Sequence, residues 1–125
     1  MNITHTCIIT DDVQRLRDFY RTVLGIEAKE FTEHYVEFPI EHVTLSLYSL
    51  MEHEKLAPGS AMAASNKSIM LEFEVDDVDT QYDRLKDIAV EWVMSPTTFP
   101  WGNRSIYFRD PDGNLLNFYT RVSTG

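Results

Sequence analysis

The tripeptide Asp-Asp-Val occurs twice, at Asp11-Asp12-Val13 and at Asp76-Asp77-Val78, and its surroundings repeat with it. An apolar run rich in strand-forming residues precedes each copy, at 3–9 and 68–75, and an amphipathic stripe follows each. The second copy starts 65 residues after the first (76 less 11). The motifs after the two stripes, Ile26-Glu27-Ala28 and Val90-Glu91-Trp92, lie 64 apart (90 less 26). Matched strand, cap, helix and next strand at one period mean that a single supersecondary unit is used twice. The fold is thereby confined to an α+β architecture of two tandem βαβββ modules.

Each module can be read through. In the first, a strand over 3–9 gives way to a helix whose stripe is Val13, Leu16, Tyr20 and Val23/Leu24. Thr10 or Asp11 caps its start, and Gly25 stands where a left-handed residue ends it. Strands at 26–31, 35–38 and 42–50 follow. Residues 51–67, with small side chains, Pro58, Gly59 and no steady period, read as a linker. In the second module Ile69, Leu71, Phe73 and Val75 alternate with Met70, Glu72 and Glu74 on the opposite strand face. The helix over 76–88 carries the stripe Val78, Tyr82, Leu85 and Ile88/Ala89, and strands at 90–94, 104–109 and 115–121 complete the unit. The reading is one domain over 1–125, with module one at about 1–50 and module two at about 68–121.

Charge limits the partners. Twenty acidic against eleven basic residues leave a net charge of −9, which disfavours nucleic acid, whose affinity rests on basic side chains, and suits a neutral or cationic ligand. The single cysteine, Cys7, precludes an internal disulfide. The first residues lack a basic region followed by an apolar core, and no apolar run approaches the length of a membrane span. These features lead us to expect a cytoplasmic, soluble protein with no membrane partner. No glycine-rich phosphate loop, Ser-His-Asp spacing or paired-cysteine motif occurs.

Two longer stretches, HTCIITDDVQRLRDFYRTVLGI from His5 and WGNRSIYFRDPDGNLLNFY from Trp101, make the chain similar to the vicinal oxygen chelate superfamily. That superfamily includes glyoxalase I, extradiol dioxygenases, fosfomycin-resistance enzymes and bleomycin-resistance proteins. The resemblance implies that the two modules curl their sheets into a U-shaped cavity, often in a homodimer. Within the second stretch, the sequence Asp110-Pro111-Asp112-Gly113-Asn114 is a hairpin turn: Pro111 suits its second position, and Gly113 supplies a positive φ.

The resemblance also locates four positions. Metal-dependent members place ligands on the first and last strands of each module, facing the cavity. The first-strand positions here are His5 and, by the 65-residue offset, Met70; the last-strand positions are Ser46 and Asn117. Imidazole and carboxylate suit Zn, Ni, Fe or Mn, whereas a hydroxyl, a thioether and an amide are poor ligands for such ions. One good ligand falls short of the three or so that a catalytic metal takes. The expectation is therefore a lapsed metal site, no cofactor, and a small organic ligand held by sequestration as in bleomycin-resistance-like members. The alternatives are a lyase, isomerase or dioxygenase with a relocated metal site, and a non-catalytic interaction module.

The residues expected to line the ligand site are His5, Ser46, Tyr48, Met70, Glu72, Trp101, Tyr107, Asn117 and Tyr119. Tyr48, Tyr107 and Tyr119 fall on inward faces, and Phe99 and Trp101 sit in a loop near the mouth, where rings can sandwich a flat or cationic molecule. Trp101 has a second reading, burial between modules or at a dimer seam. Glu72 and Glu74 share a face and either supply a base or simply reach water. Cys7 reads as a packed wall thiol or as a nucleophile, and His34, His42 and His53 read as surface residues. Phe19, Tyr20, Phe73, Phe108 and Phe118 are assigned to the core beneath the helices.

Overall fold

Asp12, rather than Thr10 or Asp11, caps the first helix: its carboxylate accepts the Arg15 backbone N–H at 3.0 Å. The coordinates are a computed structural model that describes residues 1–89 and 91–122. The chain forms two compact units that divide between Ser65 and Asn66.

The first unit runs β1 (His5–Thr10), α1 (Val13–Leu24), β2 (Lys29–Thr32), β3 (Tyr35–Ile40), β4 (Val43–Ser49) and α2 (Leu50–Leu56). Its sheet has the order β1-β4-β3-β2, with β1 parallel to β4 and the other neighbours antiparallel. The second unit runs β5 (Met70–Glu74), α3 (Val78–Leu85), β6 (Glu91–Thr98), β7 (Asn103–Arg109) and β8 (Leu115–Arg121). Its order, β5-β8-β7-β6 with β5 parallel to β8, repeats the first, so the βαβββ duplication is real.

Each helix lies on one face of its sheet. Val13, Leu16, Tyr20 and Val23 of α1 are buried, as are Val36, Phe38, Leu45 and Leu47 from alternate positions of β3 and β4. Gly25, at φ 70°, ends α1 in the left-handed conformation and donates its N–H to the Arg21 carbonyl at 3.0 Å. In the second unit Val78 and Leu85 of α3 pack with Ile106, Phe108, Leu116 and Phe118, all at most 2% exposed. Burying a side chain of this size stabilises by about 1.5–3 kcal/mol. Phe19 and Phe73 are only half-buried, and Ile88, expected on the α3 stripe, is exposed because the helix ends at Leu85.

Three segments differ from the sequence reading. The stretch read as a linker opens with α2, whose N-cap Ser49 accepts the Glu52 N–H while Glu52 pairs with Lys55 at 2.9 Å. Strand β5 begins at Met70, leaving Ile69 exposed. Strand β6 extends past Met94 to Thr98 through Pro96, with two register shifts; it is an edge strand, where proline removes no needed hydrogen bond. Val90, the expected start of that strand, lies outside the described residues.

The β7–β8 turn is held by one carboxylate. Asp110, 2% exposed, accepts the backbone N–H groups of Asp112 and Asn114 at 2.9 Å each and the Asn114 side-chain amide at 2.8 Å. Gly113 takes φ 86°. Removing the carboxylate strands those donors, so Asp110→Ala is expected to lower stability by about 2–4 kcal/mol, read as a lower urea midpoint.

Candidate functional site

In each unit, the sheet face turned away from α1 or α3 carries the polar groups. On the first unit's face β1 contributes His5 and Cys7, β4 contributes Ser46 and Tyr48, and β3 contributes Tyr35 and Glu37, set side by side by register. One Glu37 oxygen accepts the Tyr35 hydroxyl at 2.6 Å and the His5 Nε2 at 3.2 Å. Because a carboxylate only accepts, Nε2 carries the proton, and the Thr4 hydroxyl donates to Nδ1 at 2.8 Å. The hydrogen bond from Tyr35 lowers the Glu37 pKa, against an opposing effect of burial. Burial, and then the bond to Glu37, raises that of Tyr35, while a hydrogen bond with Ser46 works the other way.

These shifts fix a pH dependence. A carboxylate whose pKa is lowered on folding contributes stability above its ordinary value of 4.5, and the contribution is lost as pH falls through the folded value. A phenol whose pKa is raised contributes fully below its ordinary 10.0, and the contribution is lost as pH rises through the folded value. The pair is therefore worth most between about pH 5 and 10. Tyr35→Phe is expected to cost about 1–2 kcal/mol at pH 7 and less at pH 3, measured by denaturation at both values.

A file of rings runs beside this network: Phe31–Tyr35 at 5.7 Å, Tyr35–Tyr48 at 5.9 Å and Tyr48–His53 at 5.8 Å. His53, read as a surface residue, lies on α2, half-buried, and is held by a 2.7 Å hydrogen bond to Ser60. Cys7 is exposed rather than packed, since its β1 edge position leaves one flank open. His34 stands between Glu33 and Glu52 at 3.3 and 3.8 Å, and His42 is an exposed turn residue.

In the second unit Glu72 faces Asn117 across the β5–β8 ladder, and Tyr107 of β7 faces Asn117 from the other side. The Asn117 amide nitrogen donates to a Glu72 carboxylate oxygen at 2.9 Å. Asn117 is 3% exposed, and its Oδ1 accepts no hydrogen bond from the chain. A buried acceptor left in this state costs about 1–3 kcal/mol. Flipping the amide would point Oδ1 at the carboxylate, so the arrangement is imposed by Glu72. Met70, Tyr107 and Tyr119 are half-buried, while Glu72 is exposed. Trp101 stands clear at 71% exposure, stacked on Phe99 at 4.7 Å and 11°, and Phe99 reaches Tyr107 at 6.3 Å. Within this unit Trp101 is not buried.

The duplication makes the two faces comparable. Cys7 pairs with Ser46 as Glu72 pairs with Asn117, and Glu37 stands opposite Ser46 as Tyr107 stands opposite Asn117. Each face thus has one carboxylate beside its central polar residue, borne by β3 in the first unit and β5 in the second. Of these, Glu37 escaped the sequence reading, although the alternation of Tyr35 and Glu37 with apolar Val36 and Phe38 marks its face. Among the described residues, no three His, Cys, Asp or Glu side chains form a group suited to a metal ion. No helix among them is long and apolar enough to cross a membrane.

Comparison with known proteins gives a consistent picture. The pattern of the Glyoxalase/Bleomycin resistance protein/Dioxygenase superfamily matches residues 2–118. The uncharacterized protein YraH of Bacillus subtilis (strain 168) is 26% identical over 126 residues, spanning 95% of this chain and 98% of its own. The metallothiol transferase FosB of Lysinibacillus sphaericus (strain C3-41) is 26% identical over 119 residues, covering 95% and 82%. The crystal structure of a glyoxalase/bleomycin resistance protein/dioxygenase from Nocardioides superposes with a TM-score of 0.83 at 27% identity, covering 100% of this chain and 86% of that one.

Proposed function

We propose, for a chain that belongs to the glyoxalase/bleomycin resistance protein/dioxygenase superfamily, metal-independent binding of a small organic molecule, cationic or aromatic in character. One observation carries the reading. At Asn117, where the superfamily resemblance expects a metal-binding carboxylate, the side chain turns its amide nitrogen to Glu72. With His5, Ser46 and Met70 at the other three positions, the donors are an imidazole, a hydroxyl, a thioether and an amide. This set does not fit a resident divalent metal.

The ligand is held on the faces turned away from α1 and α3. Tyr48, Tyr107 and Tyr119 supply ring surface, Trp101 offers an exposed ring, and the net charge of −9 favours a cation. Ser46, the carboxylate of Glu72 and the amide of Asn117 fix its orientation. Function is then sequestration, by a cytoplasmic homodimer. The 26% identity to a metallothiol transferase supports a second reading, metal-dependent transfer at a rebuilt site.

The two readings part in a thermal-denaturation screen of cationic and aromatic small molecules, run with and without chelator. A ligand that binds only the native state raises Tm by an amount set by its concentration over Kd. The expected result is a rise that chelator leaves unchanged. A rise abolished by chelator would overturn metal-independent binding.

A further inference from the structure

Two carboxylates lie on the faces where a ligand is proposed to bind, and their hydrogen bonding separates them. Glu37 is engaged twice at one oxygen, by the Tyr35 hydroxyl and by the His5 Nε2–H. Glu72 receives from a neutral amide, and that amide's own oxygen, buried with the rest of Asn117, takes no donor. The second unit therefore offers a full negative charge and an unused acceptor, joined through one 2.9 Å hydrogen bond. The exposed Glu72 is the side an incoming group meets first.

We infer that Glu72 and Asn117 form a subsite for a hydrogen-bonding cation, a primary ammonium or an amidinium, with the Glu72 carboxylate taking the charge and Asn117 Oδ1 an N–H. The inference rests on the proposed ligand-binding function and specifies its polar end. A quaternary ammonium carries the charge but no N–H, so it leaves Oδ1 as it is. An anion is repelled by Glu72. Bonds to both acceptors need at least two donors on one cationic centre, which ammonium and amidinium have. The charge-assisted bond to the carboxylate is the stronger of the two.

The test is an NMR titration of the full chain with benzamidine, benzyltrimethylammonium and benzoate, following the Asn117 side-chain amide and the backbone amides of both units. The expected result is saturable movement of the Asn117 side-chain signal with benzamidine and none with benzoate. Benzyltrimethylammonium should bind at least tenfold more weakly. Glu72→Gln, at an exposed position, should weaken benzamidine at least tenfold, while Glu37→Gln should leave it within about twofold. Equal response to the quaternary ion, or loss of binding in Glu37→Gln but not in Glu72→Gln, would overturn the subsite while leaving ligand binding intact. No saturable shift at Asn117 with benzamidine would overturn it as well. A chelator-insensitive ligand in the thermal screen would then keep the binding function standing without this polar end.

Discussion

The double substitution Met70→His, Asn117→Glu is expected to turn a chain that holds less than about a tenth of an equivalent of metal into one that holds about one equivalent of Zn. The β5–β8 register places position 117 directly beside position 72, and position 70 lies two residues along β5 on the same face. By strand rise that separation is about 7 Å, within reach of an imidazole and two carboxylates around one ion. Glu72 already stands there, so the second unit would present three donors of the right kind without help from other residues. In the absence of metal the introduced carboxylate would repel Glu72, and the variant should melt below the wild type. Added Zn should reverse that deficit by binding the native state. Elemental analysis after dialysis reads the first effect and thermal denaturation with and without Zn reads the second. A variant that retains no metal would contradict the placement of positions 70, 72 and 117 on one face.

Phe108→Ala is expected to cost about 3–5 kcal/mol, the largest single loss of stability anticipated here. Phe108 is fully buried on β7, between the two neighbouring strands of its sheet. Its ring meets Trp92 at 5.2 Å and Phe118 at 5.2 Å, and Trp92 in turn meets Tyr82 of α3 at 5.0 Å. Truncation removes the ring that joins β6 to β8 and leaves a cavity whose walls are strands unable to close without breaking their ladders. The urea midpoint should fall by about 2 M, given a slope of roughly 2 kcal/mol/M for a chain of this size. Phe108→Leu, which refills most of the volume, should recover more than half of the loss.

The fold was legible because its signals are local. The two Asp-Asp-Val caps, the 3.6-residue stripes after them and the turn around Gly113 each occupy a few neighbouring residues, and both modules follow from them. The missed helix α2 had its capping signal in plain view, Ser49 with Glu52 three residues on. Its seven residues bury no side chain fully, so no apolar stripe announced it. The length of β6 depended on its becoming an edge strand, a fact of topology that Pro96 alone does not disclose.

The candidate site was legible in part. Strand alternation correctly placed Glu72 and Asn117 on one face, although 45 residues separate them. It did not disclose that the amide would point its nitrogen at the carboxylate and leave its oxygen idle, because that orientation depends on the register of two distant strands. Glu37 was missed for the same reason: its partner His5 lies 32 residues away, beyond any local pattern.

Elemental analysis of the purified wild-type chain, after exposure to Zn, Ni, Mn and Fe(II) followed by dialysis, bears most directly on metal-independent binding. The expected result is less than about a tenth of an equivalent of any metal, because the four positions offer one good ligand. A result of about one equivalent per chain would contradict it, and His5 and Glu72 would then be the first pair to replace.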